Sequence, residues 1–384
     1  MKKLRLLLVD QLNSNHSWYQ EVNLNTIYCF FEMRQETDYV KHHIQKIAGF
    51  FASMRNLANE LEDQNHRVLN YQLNDGKNTQ SLTDNLSNIT KEYTFEKFEY
   101  QLPDEYRLDK QLTDFCEQID IATETFSTEH FYTEREDLKT FFKGKKTFLI
   151  ETFYRNMRKT HQVLMVDQQL EGDKWNFDAS NRKKWKGYTL IPPAKNFDND
   201  VSQIIADLER AGVKSLGKIN QKYFEHPISG AQYLEQLDYF CEHLLIHFGD
   251  FQDAMHADNW YLFHSKLSFA LNTKMMSPKE IINAKLQTYR ERSDEIDAWC
   301  IGIYLDALKW VQLPNTGGMS QFADGGKIAT KPYVLSGSYM HKMSNYCDGC
   351  HYNKKKKFED DTCPFNSLYY SFLDEKQKNC LLTS

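Results

Sequence analysis

Three cysteines near the C-terminal end of this 384-residue chain carry its strongest chemical signal. Cys347 and Cys350 form a Cys-x-x-Cys pair; Cys363 follows a run of four lysines and precedes Pro364. Thiolates at this spacing suit three corners of an iron–sulfur cluster, where a Cys-Pro step recurs, or three corners of a zinc site. The pair alone would suit dithiol redox chemistry. Either metal centre needs a fourth ligand, which the trio does not supply.

Other stretches have weaker chemistry. His264-Ser265-Lys266-Leu267-Ser268-Phe269 places hydroxyls and a lysine where a helix could begin. Free N–H groups there could hold a phosphate, and a serine cap on an ordinary helix explains the same residues. From Leu313 to Gly326 a proline is followed by a polar stretch with four glycines. Such a loop allows close backbone approach to a ligand, or simply lies on the surface. The runs Arg182–Lys186 and Lys354–Lys357 could meet phosphates beside aromatic rings, or be solvated loop. His42 and His43 read as neighbours on a helix, where adjacent side chains diverge, so they make a poor metal pair.

These residues need a scaffold. The chain is long enough for two or three domains, and 41% apolar with 26% charged residues is a globular composition. Aromatics at 14% supply large core side chains, or the walls of a site for a flat conjugated cofactor. A net charge of −6 excludes a chain that binds nucleic acid through its overall field. Met1-Lys-Lys-Leu-Arg5 runs into Leu6–Val9 without a small-residue cleavage site, and no apolar run has bilayer length. A reduced, cytoplasmic setting with thiolate ligands is therefore expected, with no membrane partner.

Strand and helix alternate over the first 130 residues. Arg5–Val9, Thr26–Phe31, Arg67–Gln72, Phe95–Tyr100 and Ile119–Thr123 read as strands. Thr37–Leu61 reads as a helix capped by Thr37 or Asp38, Asn74–Ser87 as loop then helix, and Leu108–Cys116 as a helix. This pattern predicts an α/β, doubly wound parallel sheet. No Gly-x-Gly-x-x-Gly follows the first strand, which argues against an ordinary nicotinamide site. Residues 131–197 mix basic and aromatic residues and read as a connector with short helices. Residues 198–384 read as all-α, through Val201–Ala211, Gly230–Phe248, Pro278–Arg292 and Glu295–Val311.

The motifs together resemble the deoxyribodipyrimidine photolyase-related proteins, the iron–sulfur bacterial cryptochromes and photolyases. The resemblance rests on Asp10-Gln11-Leu12, Glu36-x-x-Tyr39-Val40-x-His42-His43 and Glu151-x-Phe153-Tyr154-Arg155-x-Met157-Arg158. It continues through Trp175-Asn-Phe-Asp178, His264-Ser-x-Leu-Ser268, Leu313-Pro-Asn315, Gly318–Gly326, Lys331-Pro-Tyr333 and the cysteine trio with Asn366. It implies an α/β antenna domain over 1–130, a connector over 131–197, and a helical FAD-binding, iron–sulfur domain over 198–384. It also implies light-driven electron transfer from reduced FAD to UV-damaged DNA, either a (6-4) photoproduct or a pyrimidine dimer, by a monomer. A blue-light photoreceptor without repair activity, or an inactive shortened member, is the alternative.

By position, the resemblance makes Glu36 the contact to a ribityllumazine-type antenna. It seats FAD on Ser265, Leu267, Ser268, Asp306 and Asn315, and makes Trp299 an electron relay. Cys347, Cys350 and Cys363 become ligands of a 4Fe-4S cluster. Two departures stand out. Cys300 replaces the tyrosine often found after the relay tryptophan, and a thiol cannot serve as a stacked ring. Family members also carry several further helices after a segment like Leu286–Arg292, and with them the first cluster cysteine, which this chain lacks.

Overall fold

The computed structural model describes residues 1–302 apart from Tyr39, Phe148 and residues 176–182, together with Asn353 and Lys356. Strand β1 (Lys3–Leu6) leads to β2 (Thr26–Phe31), a short helix α1 (Gln35–Asp38) and the long α2 (Ile44–Asp63). Then come β3 (Arg67–Tyr71), α3 (Leu82–Glu92), β4 (Lys97–Gln101), α4 (Tyr106–Cys116) and β5 (Ala122–Phe126). All strand pairs are parallel, in the order β3-β2-β1-β4-β5. The expected α/β sheet is present.

Strand β2 is fully buried because both its faces are covered. Tyr28 and Phe30 join the core under α2, whereas Ile27, Cys29 and Phe31 join a second core under α3 and α4. On the α2 side, the β1–β4 portion carries charge. Arg5 stands in register with Tyr28 and Glu99, and the fully buried Glu99 pairs with Arg5 at 2.8 Å and Lys3 at 2.7 Å. Strand β5 is mostly exposed and forms one border of the sheet.

The helix expected over Thr37–Leu61 is two helices, and neither Thr37 nor Asp38 caps the long one. His43, in extended backbone, caps α2 by accepting a hydrogen bond from the Gln45 N–H, and it pairs in a bridge with Leu216. Gly217 makes this approach feasible: its φ is +78°, and a Cβ there would lie 1.8 Å from His43 Nε2. Helix α2 ends with Asn65 at φ +67°, His66 N–H donating to Leu61 O and Asn65 N–H to Glu62 O. The first strand ends at Leu6 rather than Val9; the Leu7 N–H still donates to Cys29 O at 3.1 Å, and the chain turns at Val9 and Asp10. The last strand lies three residues later than its pattern suggested.

After the sheet, α5 (Asp137–Phe142) and α6 (Ile150–His161) precede a two-stranded hairpin, β6 (Met165–Val166) and β7 (Gln169–Leu170), that sequence patterning missed. Arg158 is fully buried and donates to the carbonyls of Val163, Leu164, Lys174 and Trp175, gathering the hairpin onto α6. Beyond it lie α7 (Ser202–Arg210), α8 (Gly230–Tyr239), a π-helical turn (Phe240–Leu244), α9 (Leu245–Phe251), α10 (Ser268–Asn272), α11 (Pro278–Glu291) and α12 (Trp299–Gly302). Ser277 and Glu280 form a reciprocal capping box at α11 with Pro278 at its first turn. One core runs from α2 through α6 and α7 to α11. A buried network reinforces it: Arg55 of α2 holds Glu32 at 2.6 Å and Asp207 of α7 at 2.8 Å.

Candidate functional site

In a doubly wound sheet the ligand crevice lies outside the carboxyl ends of the strands, where the order reverses. Here that point lies between β1 and β4. The Asp10-Gln11-Leu12 motif follows β1 and stitches the reversal together. Gln11 accepts from the Leu8 N–H and donates to Gln101 O, and the Leu12 N–H donates to Thr273 O. Asp10 faces Asp104 across the reversal, and Lys274 fills the gap. Its Nζ lies 2.7 Å from Asp10 and 2.8 Å from Asp104, and the residue is 2% exposed. The protein's own ammonium thus occupies the customary ligand position. His130 is buried nearby, and burial drives its imidazole down to about 3, with Lys274 adding to the effect and Asp10 opposing it.

The open space lies to one side, around Glu36 of α1. A slot of about 70 Å³ is lined by Glu36, Val9, His42, Lys46 and Phe50. A second, of about 20 Å³, lies between Glu36 and the β1 and β2 ends. Burial raises the Glu36 carboxyl above its ordinary range, the Arg107 guanidinium at 3.5 Å pulls it back, and Glu105 and Asp10 push it up again. Burial lowers the Lys46 ammonium, against the pull of Glu36. A poised carboxyl, an ammonium and a phenyl wall suit a polar heteroaromatic ring. Both slots are smaller than the several hundred Å³ such ligands ordinarily occupy.

Of the residues expected to seat FAD, the three that are described, Ser265, Leu267 and Ser268, do not share a surface. Ser265 is buried, its carbonyl accepting from Gln236 and its hydroxyl from the Leu267 N–H. Leu267, fully buried, stands at the cap position of α10 without a side-chain bond, so Ser265 does not cap that helix. Ser268 alone faces outward, into a cleft between α2 and α8–α10. Trp299 opens α12, and the adjacent Cys300 is buried, donating to Ile246 O at 3.6 Å. Asp306, Asn315, Cys347, Cys350 and Cys363 lie outside the described residues. Among the described residues, no group of three or more His, Cys, Asp or Glu could hold a metal ion.

The connector motif Phe153-Tyr154…Met157-Arg158 is structural: all four side chains are buried. In the basic run, Lys183 pairs with Asp250 at 2.7 Å, and the Trp185 indole donates to Thr189 O while edging onto His256. Lys46, Arg107 and Lys274 were missed in the sequence. Their only sequence signal is an isolated cation in an ordinary helix or loop.

The sheet, its stitched reversal and the Glu36 crevice define an α/β domain built on a doubly wound parallel sheet. The chain belongs to the deoxyribodipyrimidine photo-lyase-related protein family, whose model matches residues 5–224. It is 28% identical to a (6-4) photolyase of Agrobacterium fabrum over 468 residues, covering 97% of this chain and 92% of that protein. That alignment is longer than the present chain, so the relative carries residues with no counterpart here. An uncharacterised protein of Acanthamoeba polyphaga mimivirus is 34% identical over 80 residues, 21% of this chain and 58% of that one. Among solved structures, a bacterial class III photolyase from Agrobacterium tumefaciens matches with a TM-score of 0.46 at 12% identity. The match covers 80% of this chain, which spans 57% of that structure.

Proposed function

We propose that this protein is a photolyase-type flavoprotein that uses light to drive an electron from reduced FAD into UV-damaged DNA. The observation that carries this reading is the alignment over 97% of the chain with a (6-4) photolyase. When bound, FAD supplies the photo-excitable electron donor. The chain's own contribution is positional. Ser268 offers a hydroxyl to the cofactor's polar part, and Asp306 and Asn315 belong to the same seat. Trp299 relays electrons, and Cys347, Cys350 and Cys363 provide three thiolates to a 4Fe-4S cluster. Glu36 presents its raised carboxyl to a ribityllumazine-type antenna, with Lys46 beside it.

In this reading residues 1–130 form the antenna domain, 131–197 the connector, and 198–384 an all-α cofactor domain. The protein acts as a cytoplasmic monomer on DNA. No helix among the described residues is long and apolar enough to cross a membrane.

The test is an absorption spectrum of anaerobically purified protein, followed by illumination with DNA carrying (6-4) photoproducts or cyclobutane dimers. Flavin and iron–sulfur bands with light-dependent lesion loss are expected. Bound flavin with lesions untouched would establish the photoreceptor reading instead. A colourless protein that stays unstained with added FAD would mark an inactive shortened member.

A further inference from the structure

The two borders of the sheet differ. Strand β3, on one side, is largely drawn into the structure, whereas Ala122 to Thr125 of β5 are all exposed. Strand β5 keeps unbroken parallel register with β4, from Ala122 opposite Lys97 to Phe126 opposite Gln101. It has no bulge, proline or lysine, the usual devices that stop a bare border from pairing. Its two threonines favour extended backbone.

The ladder fixes which peptide groups face outward. The Leu102 N–H donates to Phe126 O, so Phe126, and with it Glu124 and Ala122, turns its main chain toward β4. The N–H and C=O of Thr123 and Thr125 therefore point away from the sheet, and no backbone group among the described residues meets them. The Thr123 side chain is already engaged, bonding the Cys116 thiol at the end of α4.

This border is acidic. Residues 116–129 hold Glu117, Asp120, Glu124 and Glu129, and no lysine or arginine. Glu117 and Asp120 are exposed in the turn that leads into β5. Glu124 and Glu129 have partners within the chain, Lys97 and Ser17, yet their side chains remain 46% and 40% exposed.

We propose that β5 receives an extended, lysine- or arginine-rich segment of a partner protein as a further strand of the sheet. Main-chain hydrogen bonds to Thr123 and Thr125 hold the segment, and its cations answer the carboxylates around them. The inference involves no flavin and no light-driven step, so it stands apart from the photolyase reading.

Fluorescence anisotropy of the full chain with a short labelled peptide of alternating lysine and valine tests it. The peptide binds, and binds more tightly at low salt than at high salt. The same peptide with glutamate for lysine does not bind. N-methylating every second amide of the lysine peptide, in one of its two possible phases, weakens binding about tenfold or more. Glu117→Gln, Asp120→Asn and Glu124→Gln each weaken it about two- to fivefold, the size of an exposed ion pair. Thr125→Pro removes an outward N–H but no bond to β4, so capture is lost while the melting temperature moves little. Failure of the lysine peptide to bind overturns the proposal, as does equal binding of the glutamate peptide. Binding that survives N-methylation in both phases overturns it too, and needs no variant to fold. Dimerisation of the free chain that Thr125→Pro abolishes would give this border to a second copy instead.

Discussion

The Nζ of Lys274 lies 2.7 Å from Oδ2 of Asp10, although 264 residues separate them in the chain. Asp104 receives the same ammonium at 2.8 Å. The contact ties the end of β1 and the loop after β4 to the turn between α10 and α11. Lys274 has left-handed backbone, φ +60°, and the preceding Thr273 accepts the Leu12 N–H, so both main chain and side chain lock here.

Lys274→Met leaves two carboxylates facing each other with their shared cation gone. Removing one partner of a buried ionic group costs about 3–5 kcal/mol. The variant therefore unfolds at a clearly lower urea midpoint. An unchanged midpoint would show that water already reaches the aspartates.

His130 makes stability depend on acid. Its folded imidazole is held down to about 3, while in the unfolded chain it titrates near 6.5. Between those values the unfolded state binds more protons, so stability rises with pH across this window and is lost as pH falls through it. His130→Gln removes that part of the slope. Urea midpoints at pH 4 and pH 6.5, compared between wild type and variant, measure it.

Lys285 has the opposite placement on the pH scale. It is fully buried, with Nζ 5.0 Å from the Phe248 ring centre and 5.7 Å from that of Phe240. Burial pushes it down to about 7, with Cys241 and Cys300 opposing. An unfolded lysine keeps its proton to about 10.4. Between about 7 and about 10.4 the unfolded state is the more protonated, so stability climbs with pH across that window and the penalty is full below it. Lys285→Met removes the climb and stabilises the fold at pH 7 by on the order of 1 kcal/mol, read as a raised melting temperature.

Gly217→Ala tests the joint between α2 and the loop after α7. A left-handed alanine costs about 1–2 kcal/mol. The His43 ring must also move from the new methyl group and give up its cap on α2. Gly217→Ala combined with His43→Ala should lose less than the two single losses together, because the ring and the methyl group are never both present. Simple additivity of the melting shifts would mean that the ring never met the methyl group.

Strand β2 was legible because six apolar or β-branched residues buried on both sides leave one reading. The start of α2 was hidden, since its cap is a histidine rather than a serine or aspartate, and the break before it is held by a bridge from His43 to Leu216. The stretch read as Gly230–Phe248 contains the expected helix, but its π-helical turn leaves no mark on apolar spacing. Glu36 could be found only through the family motif. Arg107 and Lys274, which shape its neighbourhood, are distant lysine and arginine residues whose roles arise when the sheet closes. Ser265 and Leu267 came from the family motif, and both side chains are buried in the turn before α10.

Strand β5 gives the sheet a bare margin, and its Ala-Thr-Glu-Thr-Phe sequence is well suited to accept another strand. Glu124 sits at its centre, paired with Lys97 of β4. A second molecule laying the same strand alongside in parallel register would bring glutamate against glutamate. At high concentration that like-charge encounter discourages runaway stacking, so one side chain on an unremarkable border helps keep copies of the protein apart.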